Sequence, residues 1–204
     1  MGFYSRYILP RLIEKACSQP PFTELRGRYV PRARGRVLEI GIGTGHNLRH
    51  YGPEVTSVTG VDPAAELTAT AKARALALHC PVDVLEISGE SIPADSASFD
   101  TVLCTWTLCS IPDVARALVE MRRVLAPEGR FIFVEHGRAP DPAIVRWQER
   151  IEPLWKRIGG GCHLSRPIPR LIEDAGFVLE RLDTGHVPGP RIATFMYHGE
   201  ARAA

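Results

Sequence analysis

The stretch Arg36-Val-Leu-Glu-Ile-Gly-Ile-Gly-Thr-Gly-His-Asn47 limits what this chain can fold into more than any other. Val37, Leu38 and Ile40 form a short apolar run of the kind that fills a strand buried on both faces. Glycines then stand at alternate positions, Gly41, Gly43 and Gly45. A strand that runs into residues without a Cβ turns sharply and lets the backbone approach a ligand. A helix is expected to begin near Thr44 and to aim its free N–H groups at that ligand. A second apolar run, Val55 to Val61, ends at Asp62, 21 residues after Gly41, where a carboxylate suits a ribose diol.

Spacing narrows the ligand. A dinucleotide fingerprint reads G-x-G-x-x-G, and this run is one residue short. Glu39, two residues before the first glycine, is a poor neighbour for a pyrophosphate and a good one for an ammonium. The E-x-G-x-G-x-G run resembles motif I of the class I S-adenosylmethionine-dependent methyltransferases, and Val61-Asp62-Pro63 resembles their acidic second motif. The resemblance implies S-adenosylmethionine as cofactor. Glu39 would meet its amino group, with Gly41, Gly43, Gly45 and Asn47 forming the loop and Asp62 and Pro63 standing at the ribose. It also implies Gly89 and Glu90 at the adenine, with Thr105, Trp106 and Leu108 beside the methionine part and the transferred methyl.

A length of 204 residues, 45% apolar and 24% charged, fits one globular domain with a sizeable core. Basic and acidic residues nearly balance at 25 and 23 and are interspersed, so no nucleic-acid partner is expected. The five arginines between Arg26 and Arg36 read as a solvated loop. Five cysteines without paired spacing argue for a reducing compartment. No signal peptide and no run of 18 apolar residues is visible, and the expectation is a cytoplasmic protein without stable membrane insertion.

Along the chain, residues 4–17 read as an amphipathic helix closed by Pro20-Pro21. Alternating strands and helices follow as far as a fifth strand near Arg130 to Glu135, which calls for a doubly wound parallel sheet. The last two strands, near 176–182 and 192–197, are positioned to pair antiparallel. The expected fold is therefore α/β: a single-domain, Rossmann-like, seven-stranded, mostly parallel sheet with helices on both faces and an antiparallel last strand. Residues 1–34 would form a helical lid, 35–138 the cofactor-binding core and 139–204 the acceptor-site helices and final strands. Ile144, Trp147, Ile151, Leu154 and Ile158 mark one face of a helix over 141–158.

The C-terminal third narrows the resemblance. Phe133-Val-Glu-His-Gly137, and Trp147, Gln148, Pro153, Trp155, Lys156, Ile158, Gly159, Gly161, Cys162, Leu164 and Arg166 at their spacing, resemble the small-thiol S-methyltransferases of mammalian membranes and their soluble bacterial relatives. The mammalian enzymes begin with a hydrophobic anchor that the stretch from Met1 does not match, so membrane residence is not expected to carry over. Position 160 is glycine where an acidic residue is expected, and position 163 is histidine.

Methyl transfer from a sulfonium is an in-line displacement, so the protein chiefly orients the nucleophile and excludes water. A thiol, with an ordinary pKa of about 8.5, needs only a modest push from a base. His136 and His163 are the candidate bases. Tyr7, Trp106, Trp147, Trp155 and Cys162 are candidates for the pocket of a small-molecule acceptor. Cys162 and His163 are adjacent, but no partner ligands stand at zinc spacing, and no metal is expected. N-methylation of a phospholipid head group, O- or C-methylation of a quinone-like molecule, and a non-catalytic cofactor sensor are the rival readings.

Overall fold

The computed structural model describes residues 4–204. A π-helical turn, Tyr4–Ile8, leads into α1 (Leu9–Cys17). Pro20 and Pro21 end that helix and also open the next, α2 (Pro20–Tyr29), because the first helical positions need no N–H donor. The arginine-rich segment is therefore largely helical, where the sequence suggested a loop. Its side chains are paired along its length: Arg28 of α2 with Asp183, Arg32 of the 3-10 turn after α2 with Glu200, and Arg36, already in the first strand, with Asp100.

The remaining elements alternate as expected: β1 (Gly35–Ile40), β2 (Val55–Val61), α3 (Ala65–Ala75), β3 (Val82–Leu85), β4 (Phe99–Thr105), α4 (Val114–Val124) and β5 (Leu125–His136). Then come α5 (Pro142–Ile158), α6 (Ile168–Asp174), β6 (Phe177–His186) and β7 (Phe195–Ala203). Among the described residues, seven strands form one sheet in the order β3-β2-β1-β4-β5-β7-β6. β7 runs antiparallel to both its neighbours, and the other pairings are parallel.

The two faces of the sheet follow the period-2 alternation of each strand. Leu38, Ile40, Val102, Cys104, Phe131 and Phe133 join α4 and α6 in one core. Val37, Leu103, Ile132 and Val134 join Tyr29 of α2 and Ala71 of α3 in the other. Full burial of each large side chain contributes roughly 1.5–3 kcal/mol.

Two boundaries differ from the pattern-based reading. Pro127-Glu128-Gly129 lies within β5, where the ladder to β4 skips from Leu125 to Arg130 as at a bulge. β7 continues through Gly199-Glu200-Ala201-Arg202-Ala203, residues of poor strand propensity that are held because β5 and β6 pair with them on both sides.

Among the described residues no helix is long and apolar enough to cross a membrane. The strand order reverses between β1 and β4, and a crevice opens at the carboxyl ends of strands at such a switch point.

Candidate active site

A cavity of about 310 Å3 fills that crevice, within the range of roughly 300–1,000 Å3 usual for small-molecule sites. It is lined by Glu39, Gly41, Gly43 and Asn47 after β1, Asp62 and Pro63 after β2, Gly89 after β3, and Thr105 and Trp106 after β4. Glu39 and Asp62 thus share one cleft.

The glycine run is built differently from the expected helix start. Gly41, Gly43 and Gly45 all take positive φ (72°, 53° and 80°), and only a 3-10 turn, Leu48–His50, follows before Gly52-Pro53 redirects the chain. A run of left-handed residues cannot enter an α-helix, and Pro53 leaves no length for one. Turn amides therefore stand where a helix N-terminus was expected. Gly43 donates its N–H to Asp62 Oδ2 at 3.0 Å and Ala64 donates to Oδ1 at 2.9 Å, which fixes the carboxylate across the turn.

At Gly41 a Cβ would lie 2.0 Å from Thr107 Oγ1, in a conformation L side chains rarely adopt. Gly41→Ala is expected to lower Tm by roughly 2–8 °C, from about 1–2 kcal/mol of backbone strain plus the clash. Cofactor affinity should fall at least tenfold by calorimetry. A variant unchanged in both would show that the turn tolerates a side chain.

Glu39 has the parity of Val37 and so points to the α2 face of the sheet. It is fully buried, accepting from Asn47 Nδ2 at 2.9 Å and from the Tyr51 hydroxyl at 2.7 Å. Burial pushes its carboxyl up to about 7, with the two hydrogen bonds pulling back part of the way. Asn47 Oδ1, on the same wall, is buried without a hydrogen-bond partner.

Arg26 of α2 is the residue sequence reasoning missed. It is 3% exposed, lines the cavity, places its guanidinium 4.6 Å from the Trp106 ring centroid and donates from Nη1 to the Cys17 carbonyl at 2.6 Å. Its Nε has no partner. A buried cation with a spare donor beside a buried acceptor with a spare lone pair is a complement for a zwitterion, the amino-acid end of S-adenosylmethionine.

Trp106 takes a positive φ of 50°, held by Phe22 edge-on at 4.9 Å and by indole N–H donation to Met196 Sδ at 3.5 Å. Strain of this kind persists only where its surroundings over-determine it. Behind the loop, buried Glu135 accepts from the N–H groups of Thr107 and Leu108. Arg166 donates to the carbonyls of Leu108 and Ile111. α1 closes the cavity with Leu9, Ile13 and Cys17, and Gly159 and Gly160 complete the wall. Glu14 anchors α1 over the glycine turn, accepting from the Thr44 hydroxyl and from Arg74 Nη2 at 2.9 Å.

Other expected site residues lie elsewhere. Gly45 packs on Leu48 and Ala71, and Leu108 is in the core. Glu90 accepts from Asp113 N–H at 2.6 Å and from the Ser88 hydroxyl at 2.8 Å, bracing the loop behind Gly89. Tyr7 is 47% exposed and outside the lining. Trp147 faces solvent against Arg150, while Trp155 donates to Cys162 Sγ at 3.3 Å.

The two candidate bases are also off the cavity. His136 Nε2 is 3.1 Å from Cys162 Sγ, and His163 Nδ1 is 3.0 Å from Glu152. Among the described residues, His46 is the one histidine on the lining. Gln148 of the tryptophan-glutamine pair is a buried clasp, its amide within 3.0 Å of the carbonyls of Gly137, Leu164 and Ile192.

A parallel sheet with an antiparallel seventh strand, a glycine turn and an acidic second strand end together define the class I methyltransferase architecture. A family profile described as a methyltransferase domain matches residues 38–133. The solved structure of an S-adenosylmethionine-dependent methyltransferase from Methanosarcina mazei superposes with a TM-score of 0.66 at 19% identity, over 91% of this chain and 97% of that one.

The chain belongs to the class I S-adenosylmethionine-dependent methyltransferases, and S-adenosylmethionine is its cofactor. It is similar to the thiol S-methyltransferase TMT1B of Rattus norvegicus, 40% identical over 146 residues, covering 69% of this chain and 59% of the relative. It is also similar to the thiol S-methyltransferase TMT1A of Homo sapiens, 32% identical over 173 residues, covering 83% and 70%. A third relative, the phosphatidylethanolamine N-methyltransferase of Cereibacter sphaeroides, is 33% identical over 151 residues, covering 72% and 71%. The chain spans less than two thirds of the length of the rat relative.

Proposed function

We propose that this methyltransferase acts on a small apolar thiol. The observation that carries the reading is the apolar share of the cavity wall, Leu9, Ile13, Cys17, Trp106, Ile111 and Pro112, with Arg26 stacked on Trp106, His46 paired with Glu14, and neither His136 nor His163 on the lining. An amine or hydroxyl acceptor needs a base or a polar grip. A thiol, with an ordinary pKa of about 8.5, gives up its proton far more readily than a hydroxyl and accepts apolar walls. The names of the rat and human relatives point the same way, and that of the Cereibacter sphaeroides relative supplies the rival.

The cofactor, when bound, supplies an activated methyl on a positively charged sulfur. Asp62 holds the ribose hydroxyls. Glu39 and Asn47 Oδ1 take the ammonium, Arg26 takes the carboxylate, and Pro63 and Gly89 flank the adenosine. Trp106, fixed in its positive-φ backbone by Phe22 and Met196, would present the acceptor to the methyl, and α1 would keep water out.

A competition assay with an alkyl thiol, an ethanolamine phospholipid and a catechol tests this. Thiol turnover alone is expected, with a rate that climbs as pH approaches the pKa of the thiol itself, because His46, the histidine on the lining, is held 2.9 Å from Glu14 and neither His136 nor His163 faces the cavity. Turnover of only the phospholipid or the catechol overturns the proposal.

A further inference from the structure

We propose that Cys109, His136 and Cys162 form a binding site for a soft d10 cation, with Zn2+ as the probe. The three residues come from separate elements: the turn after β4, the last position of β5 and the loop after α5. One donor atom from each lies within 4.8 Å of the other two. A tetrahedral zinc ion with bonds of about 2.3 Å to sulfur and 2.0–2.1 Å to nitrogen sets its donors about 3.5–3.8 Å apart. Closure therefore needs side-chain adjustments rather than a new fold.

The chemistry of the set agrees. Two thiolates and a neutral imidazole cancel the charge of Zn2+, so the ion enters a buried place with no net charge. Thiolate and imidazole together select Zn2+ or Cu+ over harder cations. The donors have little other employment. His136 is buried, and its Nδ1 has no partner. Cys109 Sγ meets the Ser110 hydroxyl at 3.4 Å, the Trp106 carbonyl at 3.7 Å and the thiol of Cys162, a second member of the set. Trp155 donates its indole N–H to Cys162 Sγ, the outer-shell bond that steadies a metal thiolate.

Three protein donors leave a fourth position for water. Ser110 and the Gly159-Gly160 pair, each within three residues of a cysteine of the set, line the methyl-transfer cavity. A bound ion therefore pins two walls of that cavity to the end of β5.

The test uses the reduced, chelator-washed full chain and reads metal binding without cofactor or acceptor, so its result is independent of which molecule is methylated. Titration of Zn2+ against a chromophoric chelator should give one equivalent. Co2+ should give sulfur-to-cobalt charge-transfer absorption that drops to about half in Cys162→Ser and in Cys109→Ser. Each of those variants should bind Zn2+ at least tenfold more weakly while retaining cofactor affinity. Cys80→Ser should match the wild type. A folded wild-type chain without the charge-transfer band, or a Zn2+ equivalent that survives both substitutions together, overturns the site.

Discussion

Replacing Asp62 with alanine should weaken S-adenosylmethionine binding at least about a hundredfold, equivalent to about 2.7 kcal/mol. Each carboxylate oxygen already accepts one turn amide, from Gly43 and from Ala64. Each keeps lone-pair capacity for a ribose hydroxyl. Hydrogen bonds to a charged group contribute roughly 1.5–3 kcal/mol apiece, so loss of two would exceed the stated threshold.

Burial raises the Asp62 carboxyl above its ordinary range, while the two amide donors work in the opposite direction. Asparagine is not a mild substitute, because its NH2 would face one of those amides, donor against donor. The role at the sugar is separable from a role in holding the turn. A 2′-deoxy cofactor analogue should lose affinity in the wild type and bind Asp62→Ala no worse than the full cofactor does. An Asp62→Ala protein that binds within threefold of the wild type would remove the ribose assignment.

What could be read directly from the chain was what lies close together in it. Glu39, the glycines and Asp62 sit within two strands and their turns, and parallel pairing of Ile40 with Val61 brings those strand ends side by side. Arg26 could not be read this way. Its place on the cavity depends on α2 folding back over the Val37 face of the sheet, and α2 itself was hidden behind two prolines that looked like a terminator.

Helical periodicity found the stripe on α5 but not its direction. Trp147, Leu154 and Ile158 are exposed, while Val145 and Gln148 point inward. An apolar stripe marks a helix, and which side meets the sheet is decided by what the buried side can bond, here the three carbonyls around Gln148. The cysteine–histidine cluster shares the difficulty of Arg26, since its members are 26 or 27 residues apart in the chain and meet only through the β4–β5 pairing and the return of the loop after α5.

Cofactor binding should also be coupled to the proton on Glu39. The carboxyl is raised to about 7, mainly by burial, so the folded protein holds a proton there that the unfolded chain releases near 4.5. The folded state binds more protons between those values, and the contribution of Glu39 to stability declines as pH rises through that window. For the ligand the sign reverses. An ammonium beside Glu39 favours the ionised form, so binding should expel the proton and tighten with pH. With a pKa of about 7 the ionised fraction climbs from about one tenth at pH 6 to about nine tenths at pH 8, which predicts roughly a tenfold gain in affinity. Calorimetry in buffers of different ionisation enthalpy should register proton release below pH 7. Glu39→Gln, which keeps the shape and can still accept from Tyr51, should bind more weakly at pH 8 and show a flat profile from pH 6 to 8. If the wild-type profile is itself flat, the ammonium does not lie against Glu39, and Asn47 Oδ1 is left as its acceptor.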